Sequence, residues 1–428
     1  MARKEEHPSG EPPEKEKGNL ALRRKGAESR AMNPGRIRKL SGIPDPLRLS
    51  RYEGSPEKGP RILFFSGGTA LRGLAAELAK YTHNSIHLVT PFDSGGSSAA
   101  LRRAFGILSV GDLRNRLCAL SDPSPGPHQA VRSLFSLRFP KKAPAGELEK
   151  QFLLYLKGED PAFHSVGKEE KELLLSALEA FHRARPEDFD LRGASLGNLF
   201  LVGSYLAAGR RIEPALFLFG RLLKTRGRVL PIVEGDFHLA ARLEDGTLLL
   251  GQHRITGKEC PPPSSPIEEI FLSESLEEFR PASPILAPST ARLIQEADLV
   301  CFPMGSFYTS LLAHLLVKGT GRAVLSNRSP KVYIPNTGKD PEERGLSLAG
   351  AVEKLADYVL RDATEGEEGL SPLDLVLLDL SSGAYAGKID EARIRDLGVT
   401  IADLPMVTPS SRPYLDPSRV SRVLLSLA

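Results

Sequence analysis

One stretch limits the fold more than any other. Ile62-Leu63-Phe64-Phe65 is an unbroken apolar run, and Ser66-Gly67-Gly68-Thr69 follows it directly. Leu71, Leu74, Leu78 and Tyr81 then recur at helical spacing, and Ile86–Thr90 is a second apolar run. A run apolar at every position suits a parallel strand covered on both faces, because an antiparallel strand with one wet face would alternate. Strand, glycine turn, helix and strand make a βαβ unit. The glycines let a backbone come close to a ligand, and a helix start offers free N–H groups to an anion. Gly67, Gly68 and Thr69 are therefore candidate phosphate contacts. A tight turn that merely needs glycine would read the same way.

The next residues extend the candidate site. Asp93 stands just past the second strand, about 25 residues after the first glycine turn, where an acid commonly meets a ribose hydroxyl or a metal ion. Gly95-Gly96-Ser97-Ser98 is a second glycine turn, and Leu101–Phe105 reads as helix. Gly111-Asp112 precedes Leu113-Arg114-Asn115, and Asp112 fits a helix N-cap. Nucleotide diphosphates need such parts: backbone amides for the oxygens, Arg102, Arg103 or Arg114 for charge, and carboxylates for Mg2+. Asp93 is the candidate metal ligand, and Asp93 and Asp112 are the candidate catalytic pair.

Later segments repeat the pattern more loosely. Pro123, Pro125 and Pro127 break the chain, and Leu148–Leu156 and Glu169–Arg183 look amphipathic, so residues from about 123 to 190 are expected to be a helical insertion. Gly197-Asn198 opens an apolar helix, and Asn198 is a candidate ligand contact or a local cap. Val229–Val233 reads as strand. Phe237–Leu243 and Thr247–His253 flank Asp245-Gly246, a hairpin signal. With a two-residue turn there, His238 would stand opposite His253, a pair that invites a metal but lacks a third ligand. Asp298–Pro303 is another buried strand, followed by Gly305-Ser306 and a leucine-marked helix. That makes a second strand-to-helix anion site at Gly305 and Ser306, or a hydroxyl cap. Lys331–Asn336 and Leu373–Leu380 add strands around a helix at Leu346–Leu360, and Asn336 is placed to face the same crevice.

The ordered set of motifs resembles the CofD/YvcK family. It consists of Ser66–Thr69, Asp93–Ser98, Leu101-Arg102-Arg103 with Phe105-Gly106, Gly111–Asn115, Gly197–Phe200, Val229-Leu230-Pro231, Gly251-Gln252-His253 and Gly305–Ser310. It spans about residues 61–360. Asp93–Ser98 and Gly111–Asn115 look more like the YvcK branch, and Thr90–Gly96 is similar to a CofD-related subgroup of the three-gene GAK system. The resemblance implies a Rossmann-like α/β fold and a diphosphate site. On the CofD side it implies a Mg2+-dependent 2-phospho-lactate transferase. Such an enzyme moves a phospholactyl-type group from a guanosine diphosphate-activated donor to a deazaflavin hydroxyl and releases GMP. On the YvcK side it implies a UDP-sugar-binding regulatory protein, and the family suggests a homodimer. Two positions depart from the pattern. Ser66 and Ala70 stand where outer glycines are usual, and Asp93-Ser94 stands where paired aspartates are common, so one carboxylate is missing.

Composition sets the remaining bounds. The chain has 428 residues, 41% hydrophobic and 26% charged, enough for one large core. Its 57 basic and 53 acidic residues nearly balance, which does not call for nucleic acid. No stretch approaches the ~20 apolar residues of a membrane span. The cysteines Cys118, Cys260 and Cys301 form no CxxC, which fits a reducing, cytoplasmic setting. Residues 1–58 mix charge with Pro and Gly and are expected to be a disordered or loosely docked tail, with Met1–Arg30 disordered. The expected body, residues 59–428, is one α/β domain: a mostly parallel sheet with flanking helices, a helical insertion and an antiparallel hairpin.

Overall fold

The computed structural model describes residues 42–257, 260–367, 369–385, 387 and 389–428. Met1–Arg30, read as disordered, lies outside the described residues. Eleven strands are assigned among them: β1 Ile62–Ser66, β2 Ile86–Val89, β3 Arg228–Pro231, β4 His238–Leu243, β5 Leu248–Leu250, β6 Ile267–Ser273, β7 Pro281–Ala282, β8 Leu299–Phe302, β9 Lys331–Tyr333, β10 Leu375–Leu378 and β11 Thr400–Asp403. Seven form one sheet in the order β11-β10-β9-β8-β1-β2-β3. All its pairings are parallel.

The apolar run of β1 explains the layering. Ile62 and Phe64 join Leu299, Cys301, Val332 and Leu377 under the helices Arg72–Leu78 and Pro417–Leu427. Leu63 and Phe65 face the other way, into a core shared with Leu88, Phe302, Val376 and the helix Leu348–Leu360. Each fully buried Leu, Ile or Phe side chain contributes about 2 kcal/mol. A polar residue in this run would break one of the two cores.

The strand order places the site. The chain builds outward from β1 through β2 to β3, then returns to the other side of β1 at β8 and builds outward to β11. Ligands in open α/β sheets collect at the carboxyl ends of strands where the order reverses. Here that point lies between β1 and β8, which pair with Ile62 beside Leu299 and Phe64 beside Cys301. Between β2 and β3 runs the helical part, including the helices Pro127–Ser136, Ala145–Lys157, Lys168–Ala184 and Leu196–Ala207, around a core of their own.

The expected hairpin is half of a second, antiparallel sheet of order β5-β4-β6-β7. Its register also differs from expectation. Leu243 N–H donates to the Thr247 carbonyl at 2.9 Å, so the loop holds three residues, Glu244–Gly246. Gly246 closes it at φ +83°, the left-handed position that a three-residue loop needs. Ala240 therefore faces Leu250. His253 falls in the short helix Gln252–Ile255, not opposite His238. The two histidines form no pair, and the metal suggestion falls with it.

Part of the segment expected as a disordered or loosely docked tail docks on the body. Pro46–Gly54 is a helix capped by Asp45 and packed on the helix Pro417–Leu427. Arg48 Nη1 donates to the Ala428 backbone oxygen at 2.7 Å, and Asp45 N–H donates to Ser426 Oγ at 2.8 Å. Leu49 is 5% exposed in the same core as Phe64, while Leu47 is 79% exposed. We expect Leu49→Ala to lower the unfolding free energy by ~2–4 kcal/mol in urea titrations, and Leu47→Ala to change it by less than ~0.5 kcal/mol. Equal effects would mean that this helix is not part of the core.

Candidate functional site

A crevice of about 550 Å³ opens at the reversal point. It collects most of the residues singled out in the sequence: Gly67, Gly68 and Thr69 from the end of β1, Asp93, Gly95, Gly96 and Ser97 from the end of β2, Asp112, and Gly305 and Ser306 from the end of β8. These come from three strand ends that the parallel sheet sets side by side.

The first turn is packed against the third. A Cβ at Gly67 would lie 2.1 Å from Ser310 Oγ, so no larger residue fits there without moving the chain. A Cβ at Gly68 would lie 3.1 Å from Asp112 Oδ1, which places that carboxylate directly beside the turn. Asp112 is not the cap of its helix. The helix runs Gly111–Leu120 with Val110 at the cap position, and Asp112 sits in its first turn. At the second turn, Asp93 Oδ1 accepts the Gly95 N–H at 3.1 Å, which orders the loop ahead of the helix Gly96–Phe105. At the next position, Ser94 Oγ lies 2.8 Å from His253 Nδ1 and accepts the His253 backbone N–H at 3.3 Å. That position ties the loop to the short helix Gln252–Ile255 that follows β5.

Several expected contacts act one step away from the crevice. Asn198 is 1% exposed and donates to Ser97 Oγ at 3.4 Å. Asn336 accepts the Gly305 N–H at 2.9 Å and donates to the Gly305 carbonyl at 2.7 Å. Both amides hold lining residues in place and do not line the crevice. Two of the three arginines expected to neutralise ligand charge are spent on the fold. Arg102 pairs with Asp236 at 2.6 Å and donates to the Phe92 and Phe237 carbonyls. Arg114 donates to Ser195 Oγ at 2.8 Å and to the Phe135 carbonyl, and Arg103 is exposed. The cations that do line the crevice are Arg138 and Lys141. They sit on a strip of the helical part fixed by Phe139 N–H to Ala194 carbonyl at 2.9 Å and Leu196 N–H to Leu137 carbonyl at 3.0 Å. Arg138 Nη1 also reaches Ser97 Oγ at 3.3 Å. No local motif marks these two residues. Gln252, Met304 and Ser310 complete the lining, and Gln252 and Ser310 lie inside quoted motifs.

The turn after β8 is not the second anion site that its sequence suggests. It is a wide turn, Phe307–Leu311, followed by a 3-10 segment, Leu312–Leu316, in place of a regular α-helix. Its donors are already taken by carboxylates of this chain. Asp340 Oδ2 accepts the Phe307 N–H at 3.2 Å. Glu342 Oε2 accepts the Tyr308 and Thr309 N–H groups at 3.0 and 2.9 Å, and Thr309 Oγ1 lies 2.6 Å from Oε1. A tethered carboxylate meets these donors without the entropy loss of a free ligand. Only the rim of the turn, Gly305, Ser306 and Ser310, faces the crevice.

Two carboxylates with hydroxyls from Thr69, Ser97, Ser306 and Ser310 suit a Mg2+ ion shared with ligand phosphates, since Mg2+ keeps waters and few protein ligands. They do not make an all-protein cage, and the described residues contain no group of three or more His, Cys, Asp or Glu side chains that could hold a metal. Asp93 and Asp112 are the residues that would hold the ion.

The carboxylates behind the β8 turn give the protein a pH dependence. Burial, then the charges of Asp340 and Glu342, push the Glu343 carboxyl up to about 8. Burial and Asp340 also push Glu342 upward. A carboxyl whose native pKa lies above its ordinary value keeps a proton that the unfolded chain has released. The native state then binds more protons, and stability falls as pH rises from about 4.5 to about 8. Urea midpoints measured from pH 5 to pH 9 should decline over this window, and Glu343→Gln should reduce the slope. An unchanged slope in that variant would remove Glu343 as the source.

The comparisons agree with this architecture. The family described as 2-phospho-L-lactate transferase CofD matches residues 62–407. The gluconeogenesis factor of Bacillus subtilis is 32% identical over 284 residues, covering 66% of this chain and 70% of that protein. The gluconeogenesis factor of Halalkalibacterium halodurans is 26% identical over 382 residues, covering 86% of this chain and 96% of that protein. A crystal structure of a member of the UPF0052 family from Bacillus halodurans superposes with a TM-score of 0.60 at 24% identity, over 86% of this chain and 99% of that one, and shares the fold. The chain belongs to the CofD family, and its relatives include proteins named gluconeogenesis factor.

Proposed function

We propose that the crevice between β1 and β8 binds a nucleotide diphosphate, and that the protein transfers a phosphoryl-linked group of the 2-phospho-lactyl type from it to an acceptor hydroxyl. The observation that carries this reading is the meeting of Gly67–Thr69, Asp93 and Asp112 with Arg138 and Lys141 in one crevice. The Gly68 and Thr69 backbone would hold phosphate oxygens, and Arg138 and Lys141 would balance their charge. Asp93 would hold Mg2+ or a ribose hydroxyl, and Asp112 would assist from the other side of Gly68. When bound, Mg2+ would offset negative charge on the phosphates. In the transfer, the acceptor oxygen bonds to the distal phosphorus, and the bond from that phosphorus to the bridging oxygen breaks. The nucleoside monophosphate leaves with the electron pair, and the hydroxyl proton passes to a crevice carboxylate. Such a reaction asks mainly for positioning and charge balance.

A second reading has its own support. Ser94 is committed to His253, where the family resemblance leads one to expect a second carboxylate, and the relatives from Bacillus subtilis and Halalkalibacterium halodurans are named gluconeogenesis factor. On this reading the crevice holds a UDP-sugar without consuming it, and the protein acts as a regulator, with the homodimer that the family suggests.

Calorimetry with GDP, GTP, UDP and UDP-N-acetylglucosamine, each with and without Mg2+, separates the two. Mg2+-dependent binding of a guanine nucleotide supports the transferase. Metal-independent binding of the UDP-sugar, with no nucleoside monophosphate released on chromatography, supports the regulator. Binding of none overturns both. For the transferase, Asp93→Ala should lower turnover ~100-fold or more while leaving the urea midpoint near that of the parent. Retained turnover would remove Asp93 from the mechanism.

A further inference from the structure

The helix Gly111–Leu120 carries two charges one turn apart. Asp112 lies beside Gly68, and Arg116, four residues on, lies behind the same turn. Arg116 is 1% exposed. Its Nη2 donates to the Gly67 carbonyl at 3.1 Å and to the Gly68 carbonyl at 3.2 Å. Its Nε and Nη1 are buried with no partner among the described residues. A guanidinium in that position is costly, and an apolar side chain of similar volume would serve packing better. Burial lowers its pKa to about 10 against the pull of Asp112, so it stays a cation at neutral pH.

The two carbonyl bonds fix the other side of each peptide. In a planar trans peptide the C=O and the following N–H point in opposite directions. Drawing the Gly67 carbonyl toward Arg116 turns the Gly68 N–H away from it. Drawing the Gly68 carbonyl inward does the same for the Thr69 N–H. Gly68 and Thr69 line the crevice, and among the described residues neither N–H is spent on a backbone carbonyl. The geometry points to Arg116 as a positioning residue that aims the Gly68 and Thr69 N–H groups at a ligand phosphate and places a fixed positive charge behind them. This rests on the reading of the crevice as a phosphate site.

The test uses inorganic pyrophosphate as probe and the full chain labelled with 15N-glycine and 15N-threonine. Calorimetry gives affinity, and the Gly68 and Thr69 amide resonances report contact at the turn. The parent protein should bind and shift both resonances. Arg116→Met should unfold at an equal or higher urea concentration, because a desolvated charge is gone, yet bind ~10- to 100-fold more weakly, with both amides displaced before ligand is added. Arg116→Lys, which keeps a buried cation and a donor, should fall between the two. A merely structural role would lower stability and affinity together. Undiminished affinity and unmoved amides in Arg116→Met would overturn the role of Arg116 and leave the phosphate site standing. Absence of any pyrophosphate effect on Gly68 and Thr69 in the parent would overturn the phosphate site, and this inference with it. Should Arg116→Met fail to fold, Arg116→Lys decides: weaker binding with displaced amides supports the inference, and parent-like values overturn it.

Discussion

The pairing of β1 with β8 is the constraint on which the rest depends. Neighbouring strands stand about 4.8 Å apart, so turns leaving their carboxyl ends must share space. Gly67 and Ser310 show how little is left, with no room for even a Cβ between them. The strand order reverses at that seam, so the turn after β1 leads on to β2 and β3 and the turn after β8 leads on to β9, β10 and β11. Each half of the chain therefore contributes one wall of the crevice, and neither half holds it alone. The helical part adds to the first wall through Arg138 and Lys141, and the short helix after β5 adds through Gln252.

What was readable in the sequence follows from how local each signal is. β1 and β2 are legible because strands buried on both faces need apolar residues throughout, and the turns after them are legible because close backbone approach needs glycine. Most of the crevice could thus be named by residue: Gly67, Asp93, Gly96, Asp112 and Ser306 all face it. The cations could not. Arg138 and Lys141 lie in a stretch without periodicity, and the backbone pairing with residues 193–196 brings them to the crevice, where Arg138 reaches Ser97. Arg102 and Arg114 looked better placed in sequence, yet each is drawn to acceptors far along the chain, Asp236 and Ser195. Asn336 follows the end of β9 on the expected side, and its amide is then consumed by both polar groups of Gly305. The hairpin shows the same limit on a smaller scale. Asp245-Gly246 marks a turn, but the choice between two and three loop residues sets the register, and the ladder stops at Leu250, short of His253.

Two turns of similar sequence end with opposite electrostatics. After β8, the N–H groups of Phe307, Tyr308 and Thr309 face Asp340 and Glu342, so the donors that would attract an anion are quenched from within. After β1, the buried group behind the turn is a cation. Arg116 takes the Gly67 and Gly68 carbonyls, removing acceptors from the crevice side and leaving donors there. A carboxylate in place of Arg116 would compete with any phosphate, and an arginine in place of Glu342 would leave the Tyr308 and Thr309 N–H groups without an acceptor. On the proposed reading, negative ligand charge would be directed to the β1 turn, while the β8 turn would offer the hydroxyls of Ser306 and Ser310 to whatever that charge is attached to.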